Sequence, residues 1–504
     1  MSAARCRRAG FALAALLLAA AAPATRAQVL QPSTPIGAAR LTRAGGALAA
    51  DHALAVRYDG TLEFEGHFAR PHATRTYHST RRITVAGPDR ARQDWTTWED
   101  GDSARTVEST LLLGTRVLHR DDEHAPWIEL AGREAGEAAW TVWSAVPALM
   151  AARGVERLGH GLMGGPLTAS RSRFDWPEPL GVATVDLDVV DLPFQMQVVL
   201  NDPRRGVLAP DSRYFGTTQQ AGLVWPDSLS SMCYPVGASW HLYERRVSID
   251  EHAPLSALAE PDSVRPATPA RTDTLAVVAL LAPHVWAVDL PDADTRSLAL
   301  EFADHLVVLE SGCDVPHGER LKAAIAKVSR KPVRFVSFSH HHPDYTGGLR
   351  PFIADTATVV CAGSNKEYVN EIAHWSFAPD PDRLWKRRPG GTTPLVDTLV
   401  AGRWRHADAM NEVVAIDMGG QSHHTDAYLV FWLPRAKLLF EGDLGWFASN
   451  GTVRASSRAE GLLQAIDGAK LAPATVTQGW TPNGTPRSIP MRKLRELVAA
   501  RSHP

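Results

Sequence analysis

One segment rich in proline constrains the fold of this chain most, because it separates two parts of different character. Residues 251–273 carry four prolines among alanine, serine and threonine, a composition typical of an extended linker. Before it, alternating and β-branched stretches such as 182–192 and 240–249 predict strands. After it, strand and helix patterns alternate, which is typical of sheets covered by helices. We therefore predict a β-rich domain at 28–250 and an α+β domain at 274–504.

The first 27 residues have the pattern of a secretory signal peptide. Three arginines among the first eight residues precede an unbroken apolar run of 12 residues, 11–22, and Thr25-Arg26-Ala27 resembles a cleavage site. Such a run is shorter than the ~20 residues that cross a bilayer, although an uncleaved membrane anchor is the alternative. We expect removal of residues 1–27, a periplasmic or secreted protein, and no transmembrane segment after that removal.

Composition limits the class of partner. Hydrophobic residues make up 44% and charged residues 21% of the chain, as in ordinary soluble globular proteins. The formal net charge of −2 at pH 7 argues against a nucleic-acid partner, so we expect a small-molecule substrate. Without the predicted signal peptide three cysteines are left, Cys233, Cys313 and Cys361. Their odd number and wide spacing favour buried thiols over a disulfide framework, with a single bridge as the alternative.

Tryptophan is frequent in the first domain, with eight residues between Trp95 and Trp240 inclusive. An aromatic-rich sheet is able to hold a lipid or another apolar ligand, but aromatic side chains more often fill a hydrophobic core. Residues 28–250 show no spacing typical of metal ligands or of a catalytic nucleophile. The sequence therefore leaves the role of this domain open between an apolar-ligand site and a structural core.

The residues with the clearest chemistry form a histidine-rich segment behind the apolar strand 333–338. Alternate side chains of an extended chain share a face, so His340 and His342 are able to bind one ion. Asp344 follows at the same spacing and reaches either that ion or a neighbouring site. Imidazoles and a carboxylate suit zinc, with iron or manganese as further candidates. The alternatives are a solvated polar loop and a histidine-rich metal scavenger.

Two further segments place polar residues next to predicted strands. His423 and His424 lie in a short polar segment that precedes the apolar strand 428–433. The next strand, 437–440, is followed within three residues by Asp443. These positions make a shared site with the histidine-rich segment the better interpretation.

Taken in this order, the segments resemble the metallo-β-lactamase-fold metallohydrolase superfamily. The family pattern is a His-x-His-x-Asp-His run, a lone histidine, a Gly-Asp pair and a late histidine. Here His340-His341-His342-Pro343-Asp344 is similar to the first part, His424-Thr425 to the second and Gly442-Asp443 to the third. The resemblance covers about residues 274–485 and implies an αββα sandwich with a metal site at one edge of two sheets. The fold class expected for the whole chain is α+β, with a β-rich domain in front of this sandwich.

The sequence departs from the family pattern at two places. Tyr345 stands where the run has its last histidine, and 476–480 contains none where the late histidine is expected. Trp480 is no substitute, because an indole donates hydrogen bonds but does not bind a cation. The adjacent His423 and His424 leave the lone ligand ambiguous. We choose His424, because family members place this histidine directly before threonine.

These departures affect the two metal positions of the family unequally. The first position keeps His340, His342 and His424, and three imidazoles with an open fourth place form a recognised hydrolytic zinc site. The second keeps Asp344 and Asp443 but has lost both imidazoles. We therefore expect one Zn²⁺ ion, with iron or a second ion as alternatives.

The resemblance implies a hydrolase that uses a metal-activated water on an ester, amide, thioester or phosphoester, and the signal-like segment 1–27 predicts that this hydrolase is exported. Asp344 is predicted to orient the water and act as general base, and Tyr345 to donate a hydrogen bond to the developing oxyanion or merely to pack. A mononuclear iron oxygenase and a catalytically degenerate binding protein are the alternatives. The basic segment 379–394 is the candidate for a lid over the metal edge.

Overall fold

The computed structural model describes residues 53–65, 69–86, 90–101, 104–147, 155–157, 170–175, 182–187, 193–198, 200–202, 204–220, 223–233, 240–266, 275–378, 380–447, 453–454, 456–480 and 482–501. The predicted signal peptide, 1–27, lies outside these residues. Within the described part of the chain, no helix is both long enough and apolar enough to span a membrane.

The N-terminal domain is built on one sheet of 14 strands in the order β16-β6-β5-β4-β3-β2-β1-β15-β14-β13-β10-β9-β8-β7. In chain order the strands of this domain are β1 Ala53–Glu65, β2 Thr74–Val85, β3 Arg90–Trp98, β4 Thr106–Leu113, β5 Arg116–Arg120, β6 Trp127–Leu130, β7 Val155–Arg157, β8 Ser170–Asp175, β9 Val182–Leu187, β10 Pro193–Val198, β11 Leu200–Asp202, β12 Gly206–Leu208, β13 Asp211–Gln220, β14 Leu223–Cys233, β15 Trp240–Ala253 and β16 Val264–Arg265. Strands β11 and β12 form a separate hairpin.

The core of this domain lies between the sheet and helix α1, Gly132–Trp143. The long central strand β1 pairs with β2 and β15, so that Val56 lies opposite both Ile83 and Ile249. Trp140 and Trp143 of the helix and Trp225 of β14 are buried in this core. Part of the tryptophan content therefore fills the core.

The segment predicted as a linker is folded onto the first domain over its described part, which ends at Pro266. Strand β15 continues to Ala253, a 3₁₀ helix covers Leu255–Leu258, and β16 pairs with β6 at the edge of the sheet. Leu258 is fully buried, so apolar residues hold this segment against the sheet. The prolines stop individual elements here, and proline is tolerated beside an edge strand. Residues 267–274 lie outside the described part.

The C-terminal domain contains two sheets. Sheet 1 has seven strands in chain order, β17 Val277–Ala282, β18 Val285–Leu290, β19 Thr295–Glu301, β20 Leu306–Leu309, β21 Val333–Ser337, β22 Thr358–Cys361 and β23 Val396–Thr398. Sheet 2 has six, β24 Arg403–Ala407, β25 Glu412–Asp417, β26 Leu429–Leu433, β27 Leu438–Glu441, β30 Thr475–Gln478 and β31 Ile489–Pro490. The short strands β28 Trp446–Phe447 and β29 Val453–Arg454 pair separately.

Helices cover the outer faces of both sheets. They are α2 Val315–Ile325, α3 Pro343–Thr346, α4 Arg350–Ala354, α5 Lys366–His374, α6 Arg383–Arg387, α7 Ser457–Gly468 and α8 Met491–Arg501, with 3₁₀ helices at Gly363–Asn365 and Gly419–Ser422.

Three clusters of buried apolar side chains fill the spaces between the four layers. One packs Leu321 of α2 and Phe352 of α4 against sheet 1, and a second joins Val307 of sheet 1 to Phe431 of sheet 2. A third packs Leu462 of α7 and other helical residues on the outer face of sheet 2. Successive residues of a strand point to opposite faces of the sheet. Because consecutive residues of the central strands are apolar, each sheet buries apolar side chains on both faces. The predicted α+β class and the αββα sandwich are confirmed.

Cys233, Cys313 and Cys361 are all buried, and none of them forms a disulfide, so the prediction of buried thiols is confirmed and the alternative of one disulfide is wrong.

Among the described residues, two backbone hydrogen bonds join the two domains. The amide of Val207 in β12 donates to the carbonyl of Ser376 at 2.8 Å, and the amide of Asp426 donates to the carbonyl of Ala69 at 2.8 Å. Arg70 forms an ion pair with Asp426 beside the second contact. Because Asp426 lies two residues after His424, the N-terminal domain approaches the predicted metal edge.

Candidate metal centre

The histidine-rich segment follows the carboxyl end of strand β21 in sheet 1. Pro343 begins helix α3, and a residue before proline favours extended backbone, which His342 adopts with φ −62° and ψ 146°. Residues 339–342 bend after the strand, so the structure brings the histidine rings together through a bent segment that ends in an extended His342, and not through the regular alternation of a strand. The amide of Leu429 donates to the carbonyl of Ser339 at 2.7 Å and ties this segment to sheet 2.

The structure brings His340, His342 and His424 together. One ring nitrogen of each lies within 4.8 Å of the corresponding nitrogens of the others. Nε2 of His340 is 3.0 Å from Nδ1 of His342, and the ring centroid of His424 lies 4.8 and 4.7 Å from those of His340 and His342, respectively. We call these three residues the imidazole cluster.

The chemistry of the cluster fits a divalent cation. Burial, followed by the neighbouring histidines, holds the pKa of His340 well below its usual value, so this ring is neutral and keeps a lone pair. Its Nδ1 lies 2.9 Å from Oγ of Ser339, which leaves Nε2 directed to the cluster. Nε2 of His424 is buried and forms no well-aligned hydrogen bond among the described residues, although Oδ2 of Asp443 lies 3.3 Å away. A neutral imidazole nitrogen such as that of His340 is a suitable ligand for Zn²⁺.

The two neighbouring histidines of the second segment have different environments. His423 ends the 3₁₀ helix Gly419–Ser422 with a left-handed backbone, φ 49°, and is exposed. The side chain of His424 is 8% exposed and belongs to the imidazole cluster. Oγ of Ser422 accepts hydrogen bonds from the amides of His424 and Thr425 and fixes the turn between them.

Asp443 lies against the imidazole cluster but is bound to other residues as well. Its Oδ2 is 3.3 Å from Nε2 of His424 and 3.2 Å from Nη1 of Arg458, while Oδ1 accepts a hydrogen bond from the Tyr428 hydroxyl at 2.9 Å. Asp344 lies in the short helix α3, and its Oδ1 is 3.6 Å from Nη2 of Arg204. Each carboxylate of the second metal position therefore has an arginine partner.

Sequence reasoning missed both arginines. Arg204 comes from the β11–β12 hairpin of the other domain, and Arg458 from the first turn of α7. Neither belongs to a motif, and only the fold brings them to the site. The one available signal is the position of Arg458, because a cation in the first turn of a helix opposes the helix dipole.

Tyr345 is buried beside the imidazole cluster. Its ring centroid is 4.4 Å from that of His340, and its hydroxyl has no hydrogen-bond partner among the described residues. Burial, and then the charge of Asp443, raise the pKa of Tyr345 well above its usual value, so the phenol keeps its proton. The packing role is thus observed, while donation to an oxyanion stays a prediction.

Glu310 supports the segment from behind. Its Oε1 accepts a hydrogen bond from the amide of Ser339 at 3.1 Å, and burial raises its pKa to about 8. Its backbone is left-handed, φ 65°, a conformation that non-glycine residues rarely adopt outside turns and functional sites.

A second group of ligand-type side chains, Cys313, Asp314 and His317, has a structural role. Oδ1 of Asp314 accepts a hydrogen bond from the amide of His317 at 2.8 Å and caps helix α2. Burial raises the pKa of the Cys313 thiol to about 12, which disfavours the thiolate that metals bind.

The predicted lid is wrong. In the segment 379–394, helix α6 contacts α4, and Leu384 is buried in the helix layer of sheet 1. Arg383 and Arg387 of this segment pair with Asp355 at the end of α4, at 2.7 and 3.4 Å, respectively.

The place of the late histidine is occupied by β30. This strand runs parallel to β27, and Oε1 of Gln478 accepts a hydrogen bond from the amide of Phe447 at 2.7 Å. It supplies no imidazole. His503, the last histidine of the chain, lies outside the described residues.

The N-terminal domain contains a cavity of about 310 Å³. Aromatic and aliphatic side chains form most of its wall, including Leu62, Phe64, Tyr77, Trp95, Trp240 and Leu242. Binding of an apolar ligand to this domain stays a prediction.

Comparison with known protein families supports the αββα layers and the imidazole cluster. The family model of the Metallo-beta-lactamase superfamily matches residues 294–487. The C-terminal half of this chain therefore carries a metallo-beta-lactamase domain, and the predicted resemblance is confirmed.

Similarity to individual proteins is low. Over 72 residues the chain is 26% identical to the linear primary-alkylsulfatase of Pseudomonas sp. (strain ATCC 19151), a match that spans 14% of this chain and 13% of that relative. Among solved structures, a metallo-beta-lactamase from Pontibacter korlensis is 17% identical and covers 45% of this chain and 100% of its own, with a TM-score of 0.33. The stereoselective inverting sec-alkylsulfatase Pisa1 from Pseudomonas sp. is 16% identical and covers 44% and 40%, with a TM-score of 0.32.

Proposed function

We propose that this protein is a metal-dependent hydrolase and that sulfate esters are its substrates. The observation that supports the reaction class is the imidazole cluster, His340, His342 and His424, inside the metallo-beta-lactamase domain. The substrate class is suggested by the short match to a primary-alkylsulfatase.

The proposed ligands are the three clustered nitrogens, and Zn²⁺ is the proposed ion, because three imidazoles with an open place suit catalytic zinc. When bound, such an ion lowers the pKa of water and polarises the ester. Asp344, two residues after His342, is proposed to accept the proton of the attacking water. Tyr345, kept protonated by burial, is proposed to donate to the developing negative charge.

The balanced reaction consumes one water. The water oxygen bonds to sulfur as the bond between sulfur and the alcohol oxygen breaks. One hydrogen of the water passes to the alcohol oxygen by way of Asp344, and the other stays on the hydrogen sulfate. This reaction needs no oxidant. An iron oxygenase would need two histidines and an available carboxylate, whereas Asp443 is already engaged by Arg458 and Tyr428.

The signal-like pattern of residues 1–27 supports the further proposal that the hydrolase acts in the periplasm or outside the cell.

Metal analysis joined to turnover tests the proposal, with two adjacent histidines as a matched pair. We expect one zinc per chain in the wild type and hydrolysis of decyl sulfate. His424→Ala and His342→Ala should lose the zinc and at least about 100-fold in kcat/KM, because they remove ligands. His423→Asn, which keeps the left-handed backbone accessible, should retain both properties.

Iron in place of zinc together with oxygen uptake would support the oxygenase instead. Turnover that survives both alanine substitutions would show that the imidazole cluster is not the catalytic site.

A further inference from the structure

We propose that Arg458 and Arg204 take the place of a second metal ion, so that the protein holds one metal and binds the anionic group of its substrate through two guanidinium groups. The inference rests on the proposed function, because it concerns how the same site recognises its substrate. It assigns a part of that recognition to the N-terminal domain.

The first argument is the pairing of Asp443. This side chain is 9% exposed, and a carboxylate so far from water needs a cation. Nη1 of Arg458 supplies one at 3.2 Å, and the Tyr428 hydroxyl binds the other oxygen at 2.9 Å. The residue that the resemblance assigns to the second metal is therefore already neutralised by a side chain. The donor set at this position does not fit a second zinc, since among the described residues the two aspartates have no imidazole beyond those of the imidazole cluster itself.

The second argument is the hairpin that carries Arg204. Oδ1 of Asp202 accepts a hydrogen bond from the amide of Arg204 at 2.6 Å and fixes the turn. Val207 is held to the carbonyl of Ser376 at 2.8 Å. These contacts place Nη2 of Arg204 at 3.6 Å from Oδ1 of Asp344, the other carboxylate of the second metal position.

The third argument is the position of Arg458 in its helix. Ser456 caps α7 by accepting from the amide of Ala459 at 3.3 Å, so Arg458 lies in the first turn, where the dipole disfavours a cation. Local preferences are broken in this way mainly at functional sites. The pairing with Asp443 offsets the unfavourable position.

The charge and the free donors suit an oxyanion. A guanidinium has five N–H donors in a planar fork, and the ion pair with each aspartate uses one nitrogen of each arginine. The side chains of Arg204 and Arg458 are 41% and 32% exposed, so further donors face the solvent. Together with one divalent metal, two guanidinium groups carry the same formal charge as two divalent ions. A singly charged sulfate monoester matches such a site, and arginine binds oxyanions through paired hydrogen bonds.

The experiment measures the binding of inorganic sulfate by calorimetry, in zinc-free and in zinc-loaded protein, together with zinc per chain at saturating zinc. In zinc-free protein, Arg204→Ala and Arg458→Ala should each weaken sulfate binding at least tenfold. The matched control is Arg57→Ala, because Arg57 also pairs with an aspartate, at 3.0 Å from Asp59, and is half-exposed. It should leave the affinity for sulfate unchanged.

Wild-type protein should hold one zinc ion at saturation. Two zinc ions per wild-type chain, or an unchanged sulfate affinity in either alanine variant, would overturn the inference. If R458A loses its circular dichroism signal, R458Q replaces it, since the amide still donates to Asp443 but carries no charge, and the same tenfold loss is expected. A wild type that binds no metal would contradict the proposed hydrolase function. The sulfate measurement in zinc-free protein would still show whether Arg204 and Arg458 bind the anion.

Discussion

Glu310 and His340 are linked through Ser339 beneath the imidazole cluster. The serine amide donates to Glu310 and its hydroxyl lies at hydrogen-bond distance from His340. Burial favours the uncharged form of both residues, which raises the pKa of the acid and lowers the pKa of the base. A neutral imidazole binds metal, so this buried setting prepares the ligand.

A pH dependence of stability follows for the metal-free protein. The pKa of Glu310 is about 8 in the folded chain and near the ordinary value of about 4.3 in the unfolded chain. Between these values the folded protein keeps a proton that the unfolded chain releases, so stability falls as pH rises and levels off above pH ~8. Glu310→Gln removes this loss, which is on the order of 5 kcal/mol.

Urea unfolding of both metal-free proteins at pH 5 and pH 9 measures the difference. The wild type should lose more free energy of unfolding across this interval than the variant does. Equal losses would show that Glu310 ionises normally in the folded state.

The residues of the site divide by how far the sequence could predict them. His340 and His342 are predictable, because they lie two residues apart in one short segment directly behind a strand, and Pro343 favours the extended backbone of His342. His424 needed the family pattern. Arg204 and Arg458 could not be predicted, because each reaches the site only through packing between elements that are distant in the sequence.

At the scale of secondary-structure elements, the placement of Arg458 depends on close contact between α7 and the 3₁₀ helix Gly419–Ser422. Gly461 makes this contact possible, because a Cβ atom there would lie 1.8 Å from the carbonyl oxygen of Gln421. The same contact supports the turn that carries His424. The positions of Arg458 and of His424 therefore depend on the same contact at Gly461.

The two glycines of α7 provide a matched test of that contact. Gly461→Ala should force the helix away from Gln421 and destabilise the protein by about 1–3 kcal/mol. Gly468→Ala has open space around the new Cβ, and should be neutral or stabilising by up to about 1 kcal/mol, because alanine favours helix.

Thermal unfolding and zinc content measure the result. Only Gly461→Ala should also weaken zinc binding through the His424 turn. Equal stability of the two variants would mean that α7 does not depend on the close contact between Gly461 and Gln421.

Element boundaries show where sequence patterns are insufficient. Apolar spacing predicts a helix over 319–330, whereas α2 spans Val315–Ile325. The start is set by the cap of Asp314 and by Pro316 in the first turn, neither of which alters apolar periodicity. The folded part of the predicted linker has a similar cause, because burial of Leu258 is decided by the sheet it meets.

At the scale of the whole molecule, the two domains share the site through the β11–β12 hairpin. Gly206 has a left-handed φ of 81°, and a Cβ atom there would lie 2.0 Å from the carbonyl oxygen of Ser376 in the other domain. The hairpin can therefore dock only with glycine at this position.

Gly206→Ala should release the hairpin and withdraw Arg204, with a sulfate affinity at least tenfold lower and a loss of stability of about 1–3 kcal/mol. Gly114→Ala is the control, because Gly114 also has a left-handed φ, 63°, but open space around a Cβ. It should cost about 1 kcal/mol and leave sulfate binding intact.

Calorimetry and thermal unfolding of both variants give the comparison. An unchanged sulfate affinity in Gly206→Ala would mean that docking of the hairpin does not position Arg204.

The sandwich could be predicted from the sequence because its motifs follow strand ends in a fixed order. The 14-stranded sheet could not. Strand β1 pairs with β15, far along the chain, and alternation of apolar residues identifies a strand without naming its neighbour.

The β11–β12 hairpin separates two tasks that many enzymes place on one scaffold. In the proposed site, residues of the sandwich bind the ion, while a short turn of the N-terminal domain supplies part of the positive charge that an incoming substrate meets. Replacing that turn by one without arginine should therefore change the preference of the enzyme between anionic and uncharged esters and leave its metal site unaltered.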